Sequence, residues 1–330
     1  MKINKVKFRF YKALKSLDLK LQDINILTGH NNAGKSTLLS AIRLLDIALS
    51  YAKRRNPKQI YTPVGRQYGY PIPTDNISIS IENIHTDLLD IDTTVEFHTD
   101  DQKILSLYFP ISGGCYLYVD GFKIPKSTNT FKKTFPIHII QVPVLGPLEH
   151  DENLVLEQTI QKGLNTHRAS RHFRNYWHYH PEDFTKFKTL IESTWPNITM
   201  NPPELSMGNK GGVLHMFCEE NRRTRELYWC GFGFQIWCQL LSHISRVKAD
   251  DLLVVDEPET YLHPIVQKQL LSILRETGAQ VIMATHSPTI IADSKKGEVI
   301  AVDRNKKRGE RFEMTGIKLC SKLGLLPNEK

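Results

Sequence analysis

Two short segments carry residue types that could handle a triphosphate. Gly29-His30-Asn31-Asn32-Ala33-Gly34-Lys35-Ser36-Thr37 fits GxxxxGK[ST], follows the apolar run Ile24 to Leu27 and precedes a helical pattern. A phosphate-cradling loop requires that strand, loop and helix context. Its glycines let successive backbone N–H groups converge on phosphate oxygens, and the helix start adds positive partial charge. Lys35 would set an ammonium against the terminal phosphates, and the Ser36 hydroxyl would reach Mg2+. Far downstream, Leu252-Leu253-Val254-Val255-Asp256-Glu257-Pro258 is a fully apolar run ending in two carboxylates, which predicts a buried parallel strand with acids at its carboxyl edge. A nucleotide and its metal need such a pair.

The elements that must position these groups are legible from periodicity. Ile3, Val6, Phe8 and Phe10, then Leu17, Leu19 and Leu21, alternate with polar residues and predict two half-buried antiparallel strands. Lys35 to Tyr51 carries leucines and isoleucine at helical spacing. Residues 53 to 76 collect four prolines and three tyrosines, which predicts a loop or an excursion over the surface. Short strands are expected at Ile77–Ile81, Thr94–Phe97, Ile104–Phe109, Cys115–Val119 and Phe135–Val142. Composition then shifts: Leu154–Leu164 and Asp183–Trp195 have helical spacing and suggest a helical lobe from about 143 to 205. A hairpin from Val213–Glu219 and Arg225–Trp229 would lead to Gly231-Phe232-Gly233-Phe234-Gln235 and a helix to Val247. Beyond the acidic strand, Pro264–Glu276 reads as a helix, and Gln280–Ala284 and Val299–Asp303 read as strands.

At 330 residues and 40% hydrophobic, the chain can bury a large core. Its net charge of +8 favours a polyanionic partner and also suits an ordinary soluble surface. Five scattered cysteines without a CxxC pair indicate neither a disulfide framework nor a zinc ribbon. Met1 to Lys20 accumulates no apolar core of the signal-peptide kind, and no stretch approaches the roughly 18 apolar residues of a membrane span. The expectation is a cytoplasmic protein without membrane contact.

Asp256 stands 221 positions after Lys35, too far for a compact kinase-like domain without an inserted lobe. In that order of motifs the chain resembles the ATP-binding-cassette ATPase head, in the branch of RecF, SMC proteins, OLD-family nucleases and the ATPases of antiphage systems such as Septu. His286 in Ala284-Thr285-His286-Ser287-Pro288 is similar to the family's switch histidine, and Glu257 to Pro264 looks like the turn after the acidic strand in the OLD-like group. Gln141 resembles the Q-loop glutamine, and Gly231 to Gln235 a degenerate signature motif in which Cys230, not a serine, precedes the glycine.

The resemblance implies an α/β fold: an ABC-ATPase head with a mixed-sheet P-loop lobe and an inserted helical signature lobe. The expected division is 1–142, 143–247 and 248–330 within one composite ATPase domain. The implied cofactors are ATP and Mg2+. Gly29, Asn31, Asn32, Ala33, Gly34, Lys35, Ser36, Thr37 and Gln141 would hold nucleotide, with Gly231, Gly233 and Gln235 acting on nucleotide bound to a second copy. Ser36, Asp256 and Gln141 would serve the metal. Lys35 would act as catalytic cation, Glu257 would polarise the attacking water, and His286 would sense the γ-phosphate.

The implied partners are the chain itself, head to head around ATP, nucleic acid, and a separate nuclease or toxin effector in antiphage defence. OLD nucleases append an acidic TOPRIM domain, but no paired-acid strand motif follows His286 here, so a nuclease is expected on another chain. A RecF-like repair ATPase and a non-hydrolysing nucleotide-bound scaffold are alternatives; a transporter ATPase fits the signature least. The segment His167 to His180 interleaves basic and aromatic residues, which would either stack bases and grip phosphates or pack a helical surface inward. His178 and His180 lack a neighbouring acid or cysteine at ligand spacing, and His263 before Pro264 suits a helix start. Lys295-Lys296 and Arg304 to Arg311 form a basic rim open to solvent or nucleic acid.

Overall fold

The computed structural model describes residues 1–73, 83–121, 123–164, 166, 168–208 and 211–325; the strand expected at Ile77–Ile81 lies outside them. The chain divides into two compact units. One comprises Met1–Ile139, Asp250–Leu252 and Gln280–Lys330, the other Ile140–Ala249 and Leu253–Ala279.

The alternation at the amino terminus builds the first unit's larger sheet. Ile3–Tyr11 and Leu14–Lys20 pair antiparallel with Val6 opposite Leu19 and Phe8 opposite Leu17, which puts all four side chains in the core. Phe10 breaks the alternation: its φ of 55° turns the strand end so that Tyr11, not Phe10, is fully buried. The Tyr11 hydroxyl then meets Ser40 Oγ at 3.0 Å, fixing this turn to the helix Lys35–Ala52. Thr93–Thr99, Ile104–Phe109 and Cys115–Asp120 continue the sheet to seven strands. Its far edge is a correction to the expected loop, because Lys58–Thr62 and Gly65–Ile72 form a hairpin there. The prolines misled because Pro57 and Pro63 sit just outside the two strands and Pro71 lies past Gly69, the last residue paired with the edge strand.

The first unit's second sheet is parallel. Ile24–Thr28, buried at all five positions, lies between Gln280–Ala284 and Val299–Ala301, with Glu310–Arg311 antiparallel outside. Burial on both faces fits its mostly apolar sequence, and the buried Asn25 that interrupts it donates to Gln22 O and Val281 O. Gln280 N–H donates to Asp251 O at 3.0 Å, and Leu252 N–H to His138 O at 2.9 Å, so this unit also holds the start of the acidic strand Leu252–Asp256. Only Ile139–Val142 of the expected strand from Phe135 is extended, because the helix Thr128–Thr134 ends immediately before it.

In the second unit, helices Glu157–Gly163, Phe173–Tyr179 and Phe184–Thr194 precede the helices Phe232–Ser245 and Pro264–Glu276. Trp177 stacks on Phe187 with centroids 4.6 Å apart and planes at 22°, and Phe184 packs edge-on. The expected single hairpin from Val213 splits at the fully buried Met216. Gly211–His215 pairs with Glu204–Gly208, whereas Phe217–Glu220 pairs with Arg223–Glu226 in a different sheet. Among the described residues, no helix is long and apolar enough to cross a membrane.

Candidate functional site

The P-loop conformation in the first unit demands its glycines. Gly29 has φ 152° and a Cβ there would lie 2.5 Å from Val302 O; Gly34 has φ 107° and its Cβ would meet Leu14 Cδ2 at 2.7 Å. Asn32 also adopts positive φ, at 63°. Gly34 caps the helix Lys35–Ala52, whose first turn carries no acidic residue, so the positive end of the helix dipole faces the loop. The Lys35 ammonium curls into the loop, donating to Gly29 O at 2.8 Å and His30 O at 3.2 Å. His30, Asn31, Asn32 and Ser36 are exposed, Thr37 is half-buried, and Ala33 is buried.

His286 belongs to the same unit and is half-buried. Thr285 N–H bonds Leu27 O at 3.1 Å, Thr285 Oγ1 accepts Ser287 N–H at 2.9 Å, and Ser287 Oγ caps the next helix through Ile290 N–H, so the residues flanking His286 are fixed. Residues Gly29 to Ala33 and His286 line one cleft of about 870 Å³. Its opposite wall was not anticipated as part of the site: Asp303-Arg304-Asn305-Lys306 and Lys322 to Leu325. The run of basic residues was visible in sequence, but its approach to the P-loop depends on the pairing of Val299–Ala301 with Ile24–Thr28. Glu310 is held below the usual carboxylate range by hydrogen bonds from Lys306 and Lys322, which offsets part of the positive charge on this wall.

In the second unit, Asp256 ends its strand 9% exposed, and Glu257 follows with φ 45°. Glu257 O accepts both the N–H and the hydroxyl of Thr260, Glu259 O accepts Leu262 N–H, and Tyr261 again has positive φ, at 62°. Two non-glycine residues in left-handed conformation within five positions mark a strained turn, of the kind that clusters at ligand clamps and active sites. Gln141 is 4% exposed in the strand Ile139–Val142. His263 caps the helix Pro264–Glu276 through Ile265 N–H.

Cys230 ends the turn Leu227–Trp229, and Gly231 caps the helix Phe232–Ser245; the Gly231 carbonyl accepts Phe234 N–H and Gln235 N–H. Gln235, expected to act on nucleotide bound to a second copy, lies in the first turn of that helix. Its side chain is fully buried, accepting Leu148 N–H at 2.9 Å and donating to Tyr228 O and Cys230 O at 2.7 and 2.9 Å. The amide therefore builds the loop in front of Gly231. Trp229, Phe232, Tyr261 and Ile265 are 52–68% exposed, with Phe232 edge-on to Tyr261 at 6.1 Å.

The aromatic and basic segment is only partly buried, with Arg168 and Arg171 exposed and His178, Tyr179 and His180 half-buried. Phe173, Tyr176 and Trp177 are at most 6% exposed, so they offer no rings for base stacking, and His167 lies outside the described residues. Arg174 is fully buried and spends its guanidinium on Glu226 and Glu152.

Residues 90–292 match the sequence profile of the family described as AAA domain, putative AbiEii toxin, Type IV TA system. Among curated proteins, the Old nuclease of Escherichia phage P2 is 22% identical over 356 residues. That match covers 88% of this chain but 57% of the relative, so the chain spans little more than half of that protein's length. Among solved structures, the SMC head bound to the C-winged helix domain of ScpA superposes with TM-score 0.58 at 14% identity, covering 97% of this chain and 100% of that one. The Smc head with an extended coiled coil bound to the C-terminal domain of ScpA, from Pyrococcus furiosus, gives 0.55 at 13%, covering 98% of both chains. RecF of the RecFOR pathway gives 0.54 at 13%, covering 94% and 98%. The fold is that of the ABC-type ATPase heads.

Proposed function

The chain belongs to the family described as AAA domain, putative AbiEii toxin, Type IV TA system, and on that premise we propose that it is an ATP-driven switch: an ABC-type ATPase that self-associates around ATP and Mg2+. The observation that carries this reading is the cleft in which the P-loop residues Gly29 to Ala33 meet His286. Backbone N–H groups, the start of a long helix and the Lys35 ammonium suit a triphosphate, and the neighbouring imidazole suits a γ-phosphate sensor.

The exposed Ser36 hydroxyl and the Asp256 carboxylate are hard oxygen donors, a chemistry that suits Mg2+. Mg2+ when bound would neutralise charge on the phosphate oxygens. Glu257 would take the proton of the attacking water as that water's oxygen bonds the γ-phosphorus and the bond to ADP breaks. Gly231 and Gly233, with the exposed Trp229, Phe232 and Tyr261, would face the triphosphate of a second copy, so that bound nucleotide joins two heads and hydrolysis parts them.

The biological role we propose is that of a sensor subunit in nucleic-acid-directed antiphage defence, controlling a nuclease or toxin on a separate chain. The likeness to the Old nuclease of phage P2 supports an association with nucleic acid, and the basic wall Arg304–Lys306 supplies cations for it. Purification of the native assembly, with identification of every chain and nucleic acid in it, tests the role. Recovery of a stoichiometric nuclease or toxin is expected. An assembly holding only repair factors would replace this role with a RecF-like one.

A further inference from the structure

We propose that Cys218 and Cys230 are an oxidisable dithiol that ties down the loop in front of Gly231. Cys218 lies in the strand Phe217–Glu220 and Cys230 directly follows the turn Leu227–Trp229; their sulfurs stand 3.3 Å apart. A disulfide needs about 2.05 Å, so the closure left to make is small. The backbone already brings the two together: Cys218 is paired with Arg225 across the hairpin, Cys218 Sγ lies 3.7 Å from Arg225 O, and Cys230 Sγ lies 3.9 Å from Glu226 O.

The two thiols differ as an attacking and a resolving cysteine should. Cys230 is half-buried and within reach of a small oxidant, whereas Cys218 is 1% exposed. The hydrogen bond between them holds the Cys230 thiol below its usual pKa and pushes that of Cys218 up. Cys115, Cys238 and Cys320 are buried. The oxidant class is a hydroperoxide. The Cys230 thiolate attacks the peroxide oxygen, the O–O bond breaks, and an alcohol or water leaves with a sulfenic acid formed. The Cys218 sulfur then attacks the Cys230 sulfur, and water leaves. Two thiols are oxidised and one hydroperoxide is reduced.

The consequence for nucleotide rests on the function proposed above. Cys230 N–H bonds Leu227 O and its carbonyl accepts Gln235 Nε2, so a tether from Cys230 to the strand at Cys218 restricts any movement of Trp229 to Gly231 that nucleotide-linked association requires. Oxidation then opposes the self-association that ATP drives.

The test treats the purified full chain with hydrogen peroxide and digests it without reductant for mass spectrometry. Expected are an intact mass lower by about 2 Da and a linked Cys218–Cys230 peptide that dithiothreitol releases and that Cys218→Ser lacks. No linked peptide, or linkage of Cys230 to a different cysteine, overturns the dithiol. Light scattering with ATP should then show self-association about tenfold weaker for the oxidised chain than for the reduced one, and no effect of peroxide on Cys218→Ala. Equal association of both forms overturns the regulatory consequence. A reduced chain that never self-associates with ATP counts against the proposed function, with the linked peptide unaffected.

Discussion

A Cβ on Gly233 would lie 2.9 Å from the carbonyl oxygen of Tyr261, so the first turn of the helix behind Gly231 packs backbone to backbone on the turn behind Asp256-Glu257. The contact explains why this helix position holds glycine, the residue that lowers helix propensity most after proline. It also joins segment 231–233, which we propose faces nucleotide bound to a second copy, to the turn that follows the proposed general base Glu257.

Gly233→Ala follows directly. The new methyl forces one of the two turns to move, an overpacking cost of about 1–3 kcal/mol. ATP-dependent self-association should weaken while nucleotide binding by the isolated chain stays at the wild-type level. Light scattering and a fluorescent-nucleotide titration separate the two, and unchanged self-association would show that this contact is not part of a nucleotide-linked interface.

Lys35→Ala should abolish nucleotide binding. The ammonium that now reaches Gly29 O and His30 O is the one charged group of the loop itself. A hydrogen bond to a charged group contributes about 1.5–3 kcal/mol, so calorimetry should find ATP affinity lower by at least tenfold. The thermal unfolding midpoint without nucleotide should fall because Gly29 O and His30 O lose their donor, while the variant still unfolds cooperatively, which distinguishes lost binding from lost fold.

Glu257→Gln should uncouple hydrolysis from binding. Removing a general base costs about 10²–10⁴-fold in rate, while the amide is isosteric and tolerates the same backbone turn. Phosphate release should collapse and the ATP-bound assembly should accumulate. Unchanged biological output in this variant would instead favour a scaffold whose nucleotide is never hydrolysed.

What the sequence made legible is local in the chain. The P-loop, the apolar strand ending in Asp256 and the helix Pro264–Glu276 each follow from a contiguous pattern, and the helix bounds match the expectation at both ends. What it hid depends on distant partners. Gln235 looks like a polar residue beside a glycine until Leu148, 87 positions away, is seen to donate to it. Trp177 reads equally as part of a nucleic-acid surface or as core, and only Phe184 and Phe187 packing against it decide for the core. Phe10 fails for a different reason: one residue of positive φ inverts the alternation, and nothing in its side chain announces that.

The first unit's sheet should carry a pH-dependent term centred on Asp18. Burial alone would raise its pKa, but hydrogen bonds from Lys5 and Arg9 more than offset that and leave it below the ordinary 3.8. A depressed folded value means that the unfolded chain binds the proton more readily. The contribution is therefore present above the ordinary value and lost as pH falls through the folded one. Asp18→Asn should cost about 1 kcal/mol at pH 7, and its urea midpoint should converge on the wild type below pH 3.8.

Arg174→Met tests the second unit's buried ion network. Arg174 donates to Glu226 Oε1 from Nη2 at 2.7 Å and from Nε at 3.2 Å, and to Glu149 O at 3.0 Å, with Glu152 beside it. Methionine keeps the volume but leaves two buried carboxylates without their cation, a loss of about 3–5 kcal/mol. Burial already raises the Glu152 pKa against the hydrogen bonds it accepts from Arg174 and Asn175, and without the guanidinium it should rise further. A raised folded value means that the native state holds the proton more tightly, so stability is recovered as pH falls through it. The deficit of the variant should be greatest at neutral pH and shrink as pH is lowered towards the ordinary carboxylate value. Because Glu226 also caps the turn Leu227–Trp229 through Tyr228 N–H at 2.6 Å, protease cleavage near Trp229 should accelerate in the same variant. Equal urea midpoints for variant and wild type at neutral pH would show that the Arg174 guanidinium does not hold this network together.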